Sequence, residues 1–200
     1  MTRVAGVLFD IGGVLVGLDG VPSLAKLLQI DPLHEEIHRR WMACPSVVRH
    51  ETGQIAADQF AIEVVRDLGL SLSPEAFLAE FAGWLTAPLP GAFELVDRIP
   101  NAYQVAALSN MGAFQWTRIQ EMGLPGRFDA LYLSHEIGCL KPAPEAFRVA
   151  LDGMALPSGE VLFLDDGAAN VQAARALGME AHLVQGPAEA ESVLQAYGIV

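Results

Sequence analysis

The chain has 200 residues, 24 of them acidic and 12 basic, for a formal charge of −12, with 52% apolar and 18% charged residues. That balance excludes a disordered or low-complexity polypeptide, and the length suits one domain carrying an insertion. The negative charge repels a polyanionic backbone and the ten Arg and two Lys are scattered, so nucleic acid is not an expected partner.

The first predicted element is the apolar run Val4 to Phe9. The stretch from Val4 to Leu18 is interrupted by Asp10 and glycines and is too short to span a bilayer, so neither a signal peptide nor a membrane helix is expected. The next unit begins near Leu89, far beyond the usual two to six residues of a βα connection, so the intervening segment must carry structure of its own. It reads as helical throughout: Phe60, Val64, Val65 and Leu68 form a stripe that ends near Gly69. Ser73-Pro74-Glu75 then opens a second helix through Phe77, Leu78, Phe81 and Leu85. The expected organisation is a helical cap over residues 16–89, with Pro88-Leu89-Pro90-Gly91 returning the chain to a core made of residues 1–15 and 90–200.

Four further apolar runs follow, Val105 to Leu108, Ala130 to Leu133, Val161 to Leu164 and Ala181 to Val184. Continuous apolarity predicts strands buried on both faces of a parallel sheet, the core of an α/β fold. Gly123, Gly178 and Gly198 each close a helical pattern and are expected as left-handed helix stops. Cys44 and Cys139 lack metal-type spacing, which argues against a zinc site or disulfide framework and for a cytoplasmic setting.

Each apolar run stops at polar residues: Asp10, Ser109-Asn110, Ser134-His135, Asp165-Asp166 and Gln185. The carboxyl ends of parallel strands line one crevice, where these groups can converge. Three carboxylates together repel unless a cation neutralises them, and an all-oxygen set favours Mg2+. Lys141, before Pro142 in a segment expected to be extended, could reach the same crevice, which then reads as an anion site.

The ordered set Phe9-Asp10-Ile11-Gly12-Gly13-Val14-Leu15, Leu108-Ser109-Asn110, Leu140-Lys141-Pro142 and Phe163-Leu164-Asp165-Asp166-Gly167 resembles the haloacid dehalogenase-like superfamily of phosphohydrolases. It is most similar in appearance to bacterial sugar-phosphate phosphatases and the phosphatase domain of soluble epoxide hydrolases. The resemblance implies a Rossmann-like parallel sheet of order 5-4-1-2-3 flanked by helices, with a helical cap after the first strand. It implies that Asp10 is the nucleophile that forms an aspartyl-phosphate, and that Asp10, the Gly12 carbonyl and Asp166 hold Mg2+. Ser109 and Asn110 would bind substrate, Lys141 would neutralise charge on Asp10 and the phosphoryl group, and Asp165 and Asn170 would support them. The expected function is Mg2+-dependent hydrolysis of a small phosphate ester, a sugar phosphate being favoured. Gly12 departs from the family pattern, which usually places a general-acid aspartate there, so esters with poor leaving groups should suffer most.

Two other functions fit part of the pattern. A metal-independent 2-haloacid dehalogenase needs no acid at Gly12 but has no use for Asp165-Asp166, and a catalytically degenerate phosphate-binding protein would tolerate Gly12 and Asn170. A phosphoacceptor receiver is disfavoured by motif order, since its acidic pair comes first. Simpler roles exist for individual residues: Asp165-Asp166 could cap a helix starting near Ala168, and Ser109-Asn110 could form an ordinary turn. His135 and His182 read as structural or surface groups. Arg39, Arg40, Trp41, His50 and Glu51 lie in the expected cap, where substrate choice would be made, and a solvated helix face explains most of them equally well.

Overall fold

A computed structural model describes residues 3–30 and 34–200, so residues 1–2 of the expected core and 31–33 of the expected cap lie outside the described residues. The chain begins with β1 (Gly6–Phe9) and β2 (Val16–Leu18), then runs through α1 (Gly20–Leu28), α2 (His34–Met42), α3 (Pro45–Glu51), α4 (Ala57–Leu68) and α5 (Pro74–Ala82) to β3 (Leu85–Pro88). After α6 (Ala92–Asp97) come β4 (Gln104–Ser109), α7 (Ala113–Glu121), β5 (Ala130–Leu133), α8 (Ser134–Ile137) and α9 (Pro144–Met154). The chain ends with β6 (Val161–Asp165), α10 (Ala168–Ala176), β7 (Glu180–Leu183) and α11 (Gly186–Ala196).

Five strands form one parallel sheet in the order β5-β4-β1-β6-β7, which is 5-4-1-2-3 when these strands are numbered along the chain and read from the β7 edge. Alternate residues of β1 face opposite layers: Val7 and Phe9 join Leu162, Leu164 and Leu194, while Leu8 joins Leu108, Phe147 and Phe163. That two-sided burial is why the central strands lack polar alternation. The edges differ from the expectation of strands buried on both faces. Glu180 and Leu183 of β7 are exposed, because an edge strand has a neighbour on one side only. β1 is the switch point, pairing with β4 on one side and β6 on the other, and there the crevice beyond the carboxyl ends opens.

Between β2 and β3 the helices bury a separate cluster that includes Leu24, Ile37, Phe60, Val64, Phe77, Phe81 and Trp84. The expected stops and caps are present: Gly69, Gly123, Gly178 and Gly198 have positive φ, and Ser73 Oγ accepts from the Ala76 N–H at 3.2 Å. The segment is not helical throughout, however. β2 and β3 pair antiparallel where the chain leaves and re-enters the sheet region, and Leu85 lies opposite Leu18 instead of extending α5. Two chain passages running side by side satisfy their backbone groups on each other, and Gly17 permits the close approach, since a Cβ there would lie 2.3 Å from Thr86 Oγ1. Among the described residues no helix is long and apolar enough to cross a membrane.

Candidate active site

The parallel ladder delivers Asp10 to the crevice: its N–H still donates to the Leu164 carbonyl at 2.8 Å, but its side chain lies beyond β1. One carboxylate oxygen, Oδ1, accepts from the Ile11 N–H at 2.7 Å, Ser109 Oγ at 2.9 Å and Lys141 Nζ at 3.0 Å. Among the described residues no donor hydrogen-bonds Oδ2, so that oxygen keeps its lone pairs for a ligand. Burial pushes the Asp10 carboxyl above its ordinary value, and Lys141 offsets only part of that.

Lys141 is 1% exposed and bridges Asp10 to Asp165, with Nζ 2.6 Å from Asp165 Oδ2. Burial alone would push the ammonium down, but Asp10 and Asp165 outweigh it and hold the lysine charged. Lys141 and Pro142 are not extended as expected; they form a turn with a cis peptide bond, closed by the Ala143 N–H on the Leu140 carbonyl at 2.9 Å. Asn110 secures this turn, donating to the Lys141 carbonyl and accepting from the Lys141 N–H, both at 2.8 Å. Both ends of its amide are therefore spent on Lys141 rather than turned toward the crevice.

Asp165 ends β6 fully buried, and its two oxygens accept from Lys141, the Gly167 N–H and both ways from Asn170 Nδ2 at 2.9 and 3.2 Å. Asn170 thus holds Asp165. Neither acid supplies the N-cap of α10, which is Gly167 with no side-chain cap, so the simple capping role fails here. Asp166 turns its side chain outward at the crevice mouth, where surrounding protein raises its carboxyl and the charges of Asp10 and Asp165 add to the shift; contact with water tempers both.

Asp10, Asp165 and Asp166 each offer one oxygen within 4.8 Å of the others. One ammonium against three carboxylates leaves the cluster with two uncompensated negative charges, a deficit that suits a divalent cation bound through oxygen. Asp165 is saturated by donors, so the acids left to bind such an ion are Asp10 through Oδ2 and Asp166. Gly13, inside the first motif, contributes through the side chain it lacks. Gly13 has φ +70°, and a Cβ there would lie 2.0 Å from Asp166 Oδ2, so only glycine lets that carboxylate lie against the loop after β1. A Cβ at Gly12 would meet only Leu18 Cδ2 at 3.7 Å, so the missing side chain leaves open space.

His135 and His182 keep structural partners, Met111 O at 2.8 Å and Tyr197 Oη at 3.0 Å. Of the two readings open for His50 and Glu51, the solvated face does not hold: both are buried. Among the described residues His50 Nε2 and Glu51 Oε2 have no hydrogen-bond partner, and burial pushes the Glu51 carboxyl up to about 7. A seven-residue helix is too short for periodicity to reveal a buried side, so the sequence placed them in the cap without showing their burial.

The haloacid dehalogenase-like hydrolase family matches residues 4–178. D-ribitol-5-phosphate phosphatase of Bacteroides thetaiotaomicron is 27% identical over 190 residues, covering 88% of this chain and 90% of that protein. The fold resembles that of a haloacid dehalogenase family enzyme from the same organism solved with magnesium and inorganic phosphate, at 22% identity and a TM-score of 0.74 over 91% of this chain and 94% of the other. It also resembles L-2-haloacid dehalogenase of Xanthobacter autotrophicus, at 22% identity and a TM-score of 0.64 over 91% and 78% of the two chains. With its match spanning most of the sequence, the chain belongs to the haloacid dehalogenase-like hydrolases and is an enzyme of that family.

Proposed function

We propose that this hydrolase is a Mg2+-dependent phosphatase acting on a small phosphorylated metabolite, a sugar or polyol phosphate, through an aspartyl-phosphate on Asp10. The observation that carries the reading is the charge deficit at the crevice, three carboxylates around the single ammonium of Lys141. The relatives add to it: one is named as a polyol-phosphate phosphatase, and one fold neighbour holds magnesium and phosphate.

In this reading Asp10, the Gly12 carbonyl and Asp166 would hold the ion, which would offset negative charge on the transferring phosphoryl group. Asp10 attacks phosphorus through an oxygen, the ester P–O bond breaks in line, and the departing oxygen takes a proton from water; a second water then releases phosphate. Ser109 Oγ and the Lys141 ammonium, both already hydrogen-bonded to Asp10, stabilise the charge that moves from Asp10 to the phosphoryl oxygens. Asn110 keeps the Lys141 backbone in place, and Asp165, steadied by Asn170, keeps its ammonium charged. With no side chain at Gly12, leaving groups that need no proton turn over fastest. The cysteines Cys44 and Cys139, both unpaired, support a cytoplasmic setting.

The test is phosphate release from p-nitrophenyl phosphate with Mg2+. Chelation with EDTA should abolish it, and Asp10→Asn should reduce it by on the order of 10⁴-fold or more. Chelator-resistant halide release from a 2-haloacid would replace this reading with the dehalogenase one; phosphate binding without turnover would make the chain a binding protein.

A further inference from the structure

β5 pairs with β4 so that Leu133 lies opposite Ser109, and the chain beyond that pair brings Ser134 and His135 alongside the loop that follows Ser109. Met111 lies in that loop, buried, in neither a helix nor a strand, so its backbone N–H and carbonyl have no ladder to join. Two side chains take the place of a ladder. Ser134 Oγ accepts from the Met111 N–H at 2.9 Å. His135 Nδ1 lies 2.8 Å from the Met111 carbonyl, which can only accept, so this ring nitrogen carries a proton and donates it.

Ser134 is itself fixed from the far side, at the seam where α3 ends. Its hydroxyl has one proton, and the Glu51 carbonyl stands 2.6 Å away against 3.2 Å for the Met111 carbonyl. The shorter contact takes the proton and leaves a lone pair for the Met111 N–H. Ser134 is 1% exposed, so bulk water does not compete for either bond. At the same seam a Cβ on Gly112 would lie 2.2 Å from His50 Nε2, so the absence of a side chain lets the imidazole press on the loop one residue further along.

The residues just before Met111 are those that reach the reacting groups. Ser109 Oγ donates to Asp10 Oδ1 at 2.9 Å, and the Asn110 amide holds the Lys141 N–H and carbonyl, both at 2.8 Å. A shift of the Met111 backbone is carried along the chain to both. We infer that Ser134 and His135 are positioning residues for phosphoryl transfer, clamping Met111 so that Ser109 stays on Asp10 and Lys141 stays between Asp10 and Asp165. The inference rests on the phosphatase reading and adds to it two groups that touch neither substrate nor metal.

The experiment measures kcat and KM for p-nitrophenyl phosphate with Mg2+ on the native chain, Ser134→Ala, His135→Leu and His135→Asn. Amide hydrogen exchange, read by NMR, compares the Met111 N–H with the β1 amides of Val7 and Leu8 in the native and Ser134→Ala chains. Ser134→Ala and His135→Leu should each lower kcat by about ten- to a hundredfold, the cost of a misplacement near 1 Å, with a smaller change in KM. His135→Asn keeps a nitrogen donor close to the place of Nδ1 and should recover most of the loss, whereas a role in packing alone would be lost in both variants. In Ser134→Ala the Met111 amide should exchange faster relative to the β1 amides. Equal kcat in His135→Asn and His135→Leu overturns the clamp even if Ser134→Ala fails to fold. Native kcat in Ser134→Ala, or Met111 exchange that keeps its ratio to the β1 amides, overturns it as well, and each of these results leaves the phosphatase reading standing. Absence of phosphate release from the native chain overturns that reading first, and this role with it.

Discussion

The crevice and the α3 seam both bury acids, and they treat them in opposite ways. At the crevice Asp165 is fully enclosed, yet donors from Lys141, Gly167 and Asn170 satisfy it, and the same ammonium serves Asp10. At the seam Glu51 is almost as deeply enclosed, but among the described residues no donor reaches its Oε2 and no ion pair offsets its charge. The difference separates two uses of a buried carboxylate. A fully partnered one is fixed in advance for charge that moves during reaction, whereas an unpartnered one carries a desolvation cost that taking up a proton relieves.

The contrast can be broken most forcefully at Lys141. Lys141→Met strips the shared cation from two buried carboxylates and should cost about 3–5 kcal/mol in urea unfolding at pH 7. A loss below about 1 kcal/mol would mean the crevice acids do not depend on it. The seam should respond with the opposite sign. Because burial raises Glu51 from 4.5 to about 7, the folded chain holds that proton more tightly than the unfolded chain. The Glu51 penalty is therefore absent below about pH 4.5, grows as pH rises toward 7, and is complete above it. Glu51→Gln should match the native chain near pH 4 and exceed it by up to about 3 kcal/mol at pH 8, read from denaturant midpoints across pH. A gap that does not vary with pH would remove the seam from the comparison. The smallest effect sharpens the crevice side: Gly13→Ala combines a left-handed backbone with a Cβ driven into Asp166, which should cost about 1–2 kcal/mol in thermal unfolding. The same change should weaken Mg2+ binding about tenfold by calorimetry, with the fold otherwise intact.

The sheet was legible because buried strands leave uninterrupted apolar runs, and each run ended at the polar residue that the topology then carried to one edge. Asp10, Ser109, Lys141, Asp165 and Asp166 could be named in advance for that reason and through the motif order. The partners of Asn110 and Asn170 could not, since an amide's choice between substrate, backbone and carboxylate is made by the fold, which brings Lys141 to Asn110 across 31 residues and turns Asn170 back onto Asp165 five residues earlier. The β2–β3 pair was hidden for another reason: strands as short as Val16–Leu18 have no room for alternation, and Leu85 continued the spacing of α5 closely enough to be counted with it. Gly13 lay inside a quoted motif, but only coordinates reveal that a carboxylate occupies the space of its absent side chain.

The antiparallel pair of β2 and β3 also makes the two passages out of the sheet a single narrow ribbon. The segment buries its own aromatic nucleus, and the ribbon keeps its outgoing and returning ends neighbours at the edge of the five-stranded sheet, while contacts such as Ser134 Oγ on the Glu51 carbonyl fasten it to that sheet's loops. The stretch between Leu18 and Leu85 is consequently a natural cassette: grafting a counterpart of different length or lining onto the same neck would retune what the catalytic edge admits while leaving that edge intact.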